Sequence, residues 1–280
     1  MGVDLFIDCS YSISRLITKR YSTSFSLATS MLEKEKKQAV YAIYGFVRLA
    51  DEIVDSLLPY DRNFLFEELN SALSDALKSG MSSNPVLTSF VDTVNHYEIP
   101  FDYIHAFMDS MRADLSKSTY TQSNDLQQYI YGSADVVGLM CLKVFCAGNK
   151  VLFDQLNDPA QKLGSAFQKI NFLRDIKEDT QELGRLYFPE MALSAFDEQS
   201  KLSIERSIEA DFKAALPGVR LLPGRSRLAV ALAYYYYYGL FQKIQRADPN
   251  LVLSTRMRIS NLKKYYLIVK VGFLYKTKCL

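Results

Sequence analysis

Apolar residues recur at helical spacing through nearly the whole of this chain, and signals for β-strands are scarce. The segment YDRNFLFEELNSALSDALKSG, residues 60–80, is typical, and its last residue, Gly80, is a helix stop signal. The pattern predicts an all-α fold. The predicted helices span residues 10–19, 22–29, 36–56, 61–79, 85–96, 100–113, 124–147, 151–182, 190–194, 202–214, 225–247 and 259–275.

Three breaks in the helical pattern contain proline. NDPA (157–160), LPGVRLLPGRS (216–226) and ADPN (247–250) are interpreted as loops between helices. No low-complexity linker and no internal repeat divides the sequence. The chain is therefore predicted to form one large helical domain over residues 1–280.

The composition favours a thick apolar core. Hydrophobic residues make up 49% of the 280 residues, and 19 Tyr and 17 Phe could also wall an apolar cavity. The formal net charge is only +2, which gives no bulk electrostatic attraction for nucleic acid.

The cysteines and the apolar runs bear on the compartment. The 4 cysteines form no CxxC pattern and are interpreted as free thiols in a reducing compartment. The first residues do not resemble a signal peptide, and no uninterrupted apolar run reaches the roughly 18 residues of a membrane span. A cytoplasmic protein with at most peripheral membrane contact is expected.

Two aspartates stand four residues apart in RLADEIVDS, residues 48–56, directly after a nearly uncharged helical run. Asp51 and Asp55 therefore share one helix face, where two carboxylates repel each other by about 0.2–0.5 kcal/mol. Burial would increase that repulsion unless a cation lies between them.

A second pair with the same spacing occurs in QKINFLRDIKEDTQELGRLYFP, residues 168–189. Asp175 and Asp179 lie on one helix face with Gln168 and Asn171, and carboxylate and amide oxygens suit Mg²⁺. Each pair has an adjoining arginine of the kind that binds phosphate oxygens. A single such pair usually marks a solvated helix face, whereas two pairs with arginines favour a metal and diphosphate site.

Four segments together resemble the squalene and phytoene synthase family. They are YSTSFS (21–26), AIYGFVRLADEIVD (42–55), YIYGSADVVGLM (129–140) and INFLRDIKEDTQELGRLYFP (170–189). The two aspartate motifs, in this order and about 120 residues apart, carry most of the specificity. The resemblance covers nearly the whole chain and implies an isoprenoid-synthase fold with a central cavity.

The resemblance also implies roles for individual residues. Mg²⁺, or Mn²⁺ in its place, would be held by Asp51, Asp55, Asn171, Asp175 and Asp179. The four aspartates would act in catalysis with Tyr44, Arg48, Arg174 and Tyr237. The diphosphate would be contacted by Ser22, Ser24, Arg48, Gln168, Arg174, Arg185, Tyr187 and Arg256. Candidates for the wall of the prenyl pocket are Phe25, Val137, Gly138, Met140 and Cys141.

The implied activity is head-to-head condensation of two prenyl diphosphates through a cyclopropylcarbinyl diphosphate. The expected reaction converts two geranylgeranyl diphosphates to phytoene without a nicotinamide, in carotenoid biosynthesis. Alternatives are a C30 squalene or dehydrosqualene synthase using farnesyl diphosphate, a non-catalytic scaffold of this fold, and a cyclising terpene synthase. Asp135 departs from the family pattern on the central helix, and neither its role nor the oligomeric state is predicted.

Overall fold

The computed structural model describes residues 2–193 and 196–280, and the prediction of an all-α fold is confirmed. Within these ranges the only β-type pairing is an isolated bridge between Thr119 and Leu186. The predicted helix 190–194 ends on Ser194, which lies outside the described residues. The helices are α1 Gly2–Tyr21, α2 Thr23–Thr29, α3 Lys34–Asp55, α4 Arg62–Ser79, α5 Pro85–Tyr97, α6 Phe101–Asp114, α7 Ser123–Ile130, α8 Val136–Cys146, α9 Lys150–Gln181, α10 Pro189–Leu193, α11 Glu198–Leu221, α12 Gly224–Gln245, α13 Pro249–Ser254 and α14 Asn261–Lys276.

Local sequence signals determine where many of these helices begin and end. The Asp61 side chain accepts a hydrogen bond from the Phe64 amide at the start of α4. Gly80 ends α4 in the left-handed conformation, with a φ of 79°, as its position predicts. Asn84 caps α5, and Pro85 occupies its first turn, where a missing N–H costs nothing.

Two of the predicted breaks are narrower in the structure: NDPA is helical throughout, as the predicted helix 151–182 requires, and LPGVRLLPGRS keeps only Leu222 and Pro223 outside a helix. Pro159 lies inside α9, and Pro217 lies inside α11. These two helices pack closely where the prolines occur, because a Cβ on Gly218 would lie 2.3 Å from the Cβ of Pro159. The loss of one helical hydrogen bond at each proline is offset by this tight packing. The other differences are that α1 begins at Gly2 rather than at residue 10, and that α13 was not predicted.

A π-helical segment, Tyr131–Asp135, connects α7 to α8. It is pressed between α6 and α9: a Cβ on Gly132 would lie 2.0 Å from Ser110 Oγ, and one on Gly164 would lie 3.0 Å from the Ala134 carbonyl oxygen. π-Helical turns are rare in proteins, and those that occur are often found at functional sites. Here the segment packs against α9 and leads into α8, the central helix, which forms part of the wall of an internal cavity.

The run Ser123–Cys146 is long and apolar enough to cross a membrane by length and composition alone. This differs from the expectation that no such run exists. More than half of its most apolar window, 56%, is buried inside the protein, as in the core helix of a globular domain. The run is therefore only weak evidence for a membrane span.

Candidate active site

A cavity of about 360 Å³ lies between the two hydrophobic clusters of the described chain, within the range of roughly 300–1,000 Å³ usual for ligand sites. Most of its wall is apolar. Polar residues predicted to bind diphosphate, to hold the metal or to act in catalysis lie on the wall as well. These are Ser22, Ser24, Tyr44, Gln168, Asn171, Arg174 and Tyr237.

Four of the five residues predicted for the prenyl pocket do line this cavity: Phe25, Val137, Gly138 and Cys141. Met140 does not line it, and its prediction as a wall residue is wrong. Its side chain is fully buried in the core cluster. The helical stripe that faces the cavity instead continues from Val137 to Cys141 and on to Phe145, at spacings of four residues.

The first acidic pair lies on the last turns of α3 and is held by Arg48. The Arg48 guanidinium forms ion pairs with Asp51 and with Glu52, a carboxylate that sequence reasoning did not single out. The same guanidinium lies 4.4 Å from the centroid of the Tyr21 ring. Asp51 and Arg48 remain about one-third and one-quarter exposed, so a ligand can reach them.

The second acidic pair lies on α9, where Asp175 has two arginine partners. Arg174 Nε lies 2.9 Å from one oxygen of Asp175. Arg256 Nε lies 2.9 Å from the same oxygen and reaches Glu178 at 2.5 Å. The structure thus brings Arg256, distant in sequence, to the second acidic wall.

Arg185 joins the two walls. Its side chain is only 4% exposed and lies 2.5 Å from Asp55 Oδ1. It also donates hydrogen bonds to the backbone carbonyls of Asp114, at 2.9 Å, and Val54, at 3.3 Å. The predicted diphosphate contact is therefore engaged with protein acceptors in this structure, behind the main cavity.

The carboxylates of the two walls perturb one another. Burial, followed by the charges of Asp175 and Asp55, raises the pKa of Asp179 to about 7. Burial and the charge of Asp55 likewise raise the pKa of Asp51. Asp55 on α3 therefore acts electrostatically on Asp179 of α9, which shows that the carboxylates of the two walls lie close enough to repel each other.

The oxygen donors of the two walls are of the kind that a divalent cation prefers. Hard oxygen donors from two facing helices, with carboxyl pKa values raised by mutual repulsion, are the chemistry that Mg²⁺ neutralises. In the described ranges, however, no three Asp, Glu, His or Cys side chains converge tightly enough to form a ready metal cluster. The donors fit Mg²⁺ only if the aspartates exchange their arginine partners for the ion.

Tyrosine hydroxyls complete the polar end of the cavity. Burial raises the pKa of Tyr44 to about 12, and its ring stacks on Phe25 with centroids 4.6 Å apart. Tyr237 donates a hydrogen bond to Asn171 Oδ1 at 3.3 Å and stacks on Phe167 at 3.9 Å. Both phenols are therefore neutral at physiological pH and can donate hydrogen bonds.

Asp114 and Tyr129 were missed by sequence reasoning. Tyr129 donates a hydrogen bond to Asp114 Oδ2 at 2.7 Å, and the other carboxylate oxygen of Asp114 is buried without a partner. Burial raises the pKa of Asp114 to about 7, against the opposing effect of Arg185. Tyr187 belongs to the same cluster, since its ring stacks on that of Tyr129 with centroids 5.4 Å apart. Tyr129 begins a segment that carried the family resemblance, whereas Asp114 has no sequence signal.

The squalene/phytoene synthase family matches this chain over residues 18–263. The chain belongs to this family. Phytoene synthase of Arthrospira platensis is 31% identical over 91% of this chain and 90% of its own length. A 4,4'-diapophytoene synthase of Staphylococcus haemolyticus is 26% identical over 95% of this chain and 97% of its own length. The crystal structure of a dehydrosqualene synthase in complex with ligand is 25% identical, with a TM-score of 0.80 over 97% of this chain and 98% of that chain.

Membership confirms the resemblance and the isoprenoid-synthase type of fold. Enzymes of this family condense prenyl diphosphates head to head, and this chain is an enzyme of that prenyltransferase type. The non-catalytic scaffold is therefore no longer an alternative. The relatives carry both C40 and C30 names, so family membership does not determine the chain length of the substrate.

Proposed function

We propose that the chain is a phytoene synthase, which joins two geranylgeranyl diphosphates into a C40 hydrocarbon for carotenoid biosynthesis. The observation that carries this proposal is the apolar cavity whose polar end adjoins two acidic walls and their arginines. Identity to the Arthrospira phytoene synthase, at 31%, exceeds identity to the Staphylococcus diapophytoene synthase, at 26%, and supports the C40 substrate.

A C30 activity on farnesyl diphosphate is the second candidate. It is favoured by the dehydrosqualene synthase structure, which aligns with 97% of this chain at a TM-score of 0.80. Without a reductant, the two candidates share the diphosphate chemistry and differ in how much hydrocarbon the cavity must accept.

For the metal, we propose that Asp51 and Asp55 hold Mg²⁺ from α3, while Asn171, Asp175 and Asp179 hold it from α9. When bound, the ion would supply Lewis-acid stabilisation of the departing diphosphate. Mn²⁺ would substitute because it also accepts carboxylate oxygens. No nicotinamide is expected, since the proposed product requires no reduction.

The residues around the ion would bind and orient the diphosphate. Arg48 and Arg174 can pair with its oxygens, and their fixed donors favour the negative charge that develops as it leaves. Tyr44 and Tyr237 are neutral phenols that can donate hydrogen bonds to the same group. Because burial raises the pKa of Tyr44 to about 12, a diphosphate oxygen is the better acceptor for the proton lost at the end of the reaction.

The apolar wall would protect the allylic cation from water. Phe25, Phe167 and the Val137–Cys141–Phe145 stripe enclose the space next to the polar end. Exclusion of water prevents hydrolysis of the cation, and aromatic faces stabilise positive charge. The second prenyl double bond can then attack before quenching occurs.

The deciding experiment is competition between the two prenyl diphosphates. The purified protein is incubated with Mg²⁺ and equal concentrations of labelled C15 and C20 diphosphates, without nicotinamide, and the hydrocarbons are identified by mass. We expect the C40 product to dominate. A dominant C30 product would reject phytoene synthesis and establish the second candidate. An Asp175→Asn variant serves as the control and gives the background signal in the absence of condensation.

A further inference from the structure

The outward face of α14 is an exposed apolar stripe. Five large hydrophobic side chains lie on it at helical spacing, and we call them the outer stripe. They are Leu262, 81% exposed, Tyr265, 67%, Tyr266, 61%, Val269, 71%, and Phe273, 66%. The opposite face of the helix is buried through Leu267 and Val271, which pack into the core cluster beside α12. Single exposed apolar residues are ordinary, but a stripe along one helix marks an interaction surface.

The charged residues of the segment that contains α14 all have one sign. From residue 249 to residue 280 the sequence contains no Asp and no Glu, while Lys263, Lys264, Lys270, Lys276 and Lys278 all fall on or just after α14. At 100° per residue, Lys270 lies along one edge of the outer stripe, where its ammonium is 5.4 Å from the centroid of the Tyr235 ring, and Lys276 follows Phe273 at the end of the stripe. Apolar and aromatic side chains bordered by lysines are typical of a helix that lies in a lipid interface.

We propose that α14 is a membrane-docking helix, whose outer stripe enters the interface of a bilayer that contains anionic lipids. The lysines bordering the stripe would contact lipid headgroups, and each would add about fivefold in affinity. A protein partner fits less well, because it would need an acidic rim of matching shape, whereas an anionic lipid surface complements the lysines of this acid-free segment without further requirements.

Because α14 lies beside the cavity, docking would also affect the candidate active site. Lys264 and Leu267, on its inner side, line the cavity. Lys264 Nζ also lies 3.4 Å from the Thr23 hydroxyl at the start of α2, beside the predicted diphosphate residues Ser22 and Ser24. A docked α14 would therefore hold the cavity next to the lipid phase. The benefit of this location rests on the proposed function, because it requires that the product be an apolar hydrocarbon. Docking of α14 itself does not depend on the proposed function.

The test is co-sedimentation of the full chain with vesicles of phosphatidylcholine alone or of phosphatidylcholine mixed with phosphatidylglycerol. Wild type should bind the anionic vesicles more tightly. The pair Val269→Asp and Phe273→Asp should weaken binding at least about tenfold, since burial of each side chain contributes more than the 1.4 kcal/mol that a tenfold change represents. The pair Lys270→Gln and Lys276→Gln should weaken binding only to the anionic vesicles.

A matched control places the same two changes elsewhere. Phe64, 63% exposed, and Val151, 79% exposed, lie in the first turns of α4 and α9, where an added aspartate suits the helix N-terminus. The pair Phe64→Asp and Val151→Asp should bind vesicles like wild type. Circular dichroism and thermal melting establish that each variant is folded.

Three results would overturn docking. They are failure of wild type to bind anionic vesicles, equal binding by the Val269→Asp and Phe273→Asp pair, and a wild-type dimer that this pair dissociates in sedimentation velocity. The last result would assign the outer stripe to contact between two copies of the chain. Condensation of prenyl diphosphates in detergent solution is measured in parallel, so that loss of docking is distinguished from loss of the proposed activity.

Discussion

Replacing Arg185 by methionine is the sharpest test of how the two acidic walls are joined. The native guanidinium is 4% exposed, lies 2.5 Å from Asp55 and bonds the Asp114 carbonyl at 2.9 Å. Methionine fills part of the space but supplies no charge and no donor. Removing one partner of a fully buried ion pair costs about 3–5 kcal/mol, because the remaining charge is left uncompensated. Asp55 is 30% exposed, so the expected cost is about 3 kcal/mol, at the lower end of that range.

The cost should depend on pH, with a sign that follows from Asp114. The pKa of this carboxyl is about 7 although Arg185 lowers it, so the pKa must rise further in the variant. A carboxyl with a raised folded-state pKa destabilises the protein as pH rises towards that pKa. The loss in free energy of unfolding of Arg185→Met relative to wild type should therefore be smaller below pH 7 and larger above it.

Urea unfolding followed by circular dichroism in metal-free buffer measures both effects, one pH unit below and one above the Asp114 pKa of about 7. Arg185→Lys is the control: it keeps the charge but cannot reach all three acceptors, so its loss should be intermediate. If Arg185→Met unfolded within about 1 kcal/mol of wild type at both values, the pairing would contribute no more than an ordinary surface salt bridge.

Three further changes test separate parts of the site. Asp175→Asn should abolish condensation while the circular dichroism spectrum stays native, and near-normal turnover with Mg²⁺ would reject the two-wall metal site. Arg174→Lys keeps the charge but loses the planar fork, so kcat/KM should fall about tenfold or more, or about 1.4 kcal/mol; unchanged kinetics would remove it from the diphosphate site. Asp135→Asn should stabilise the fold at pH 8 by on the order of 2 kcal/mol in urea unfolding, because burial raises the pKa of this carboxyl to about 7 and its ionisation opposes folding between about pH 4 and 7. Equal stability of the variant and wild type at pH 8 would show that Asp135 ionises without penalty.

Most helices could be predicted because their apolar period and caps are local. The exceptions depend on tertiary packing. Pro159 and Pro217 normally interrupt helices, and only the contact of Gly218 with Pro159 shows why α9 and α11 continue through them. The π-helical segment was unpredictable for the same reason, since its extra residue is accommodated between α6 and α9. It also changes the angular register of the central helix.

The candidate site likewise has features that the sequence predicts and features that only tertiary packing determines. The i, i+4 spacing of the aspartates can be read directly from the sequence, and so can the positions of Arg48 and Arg174 near them. Spacing alone does not distinguish the cavity face of an apolar helix from its core face, which is why Met140 was misplaced. Asp114 stands in no motif, and its closeness to Arg185 arises only when α6 packs beside α3.

The arginine pairings also indicate how the site could accept a substrate. The structure commits four arginines predicted to bind diphosphate to carboxylates: Arg48 to Asp51, Arg174 and Arg256 to Asp175, and Arg185 to Asp55. A diphosphate that takes up these guanidiniums leaves the aspartates uncompensated, with carboxyl pKa values that are already raised at Asp51 and Asp179. A cation that takes up the aspartates frees the guanidiniums. If the proposed metal and diphosphate sites hold, each ligand would remove the cost of binding the other, and by linkage their affinities would rise together.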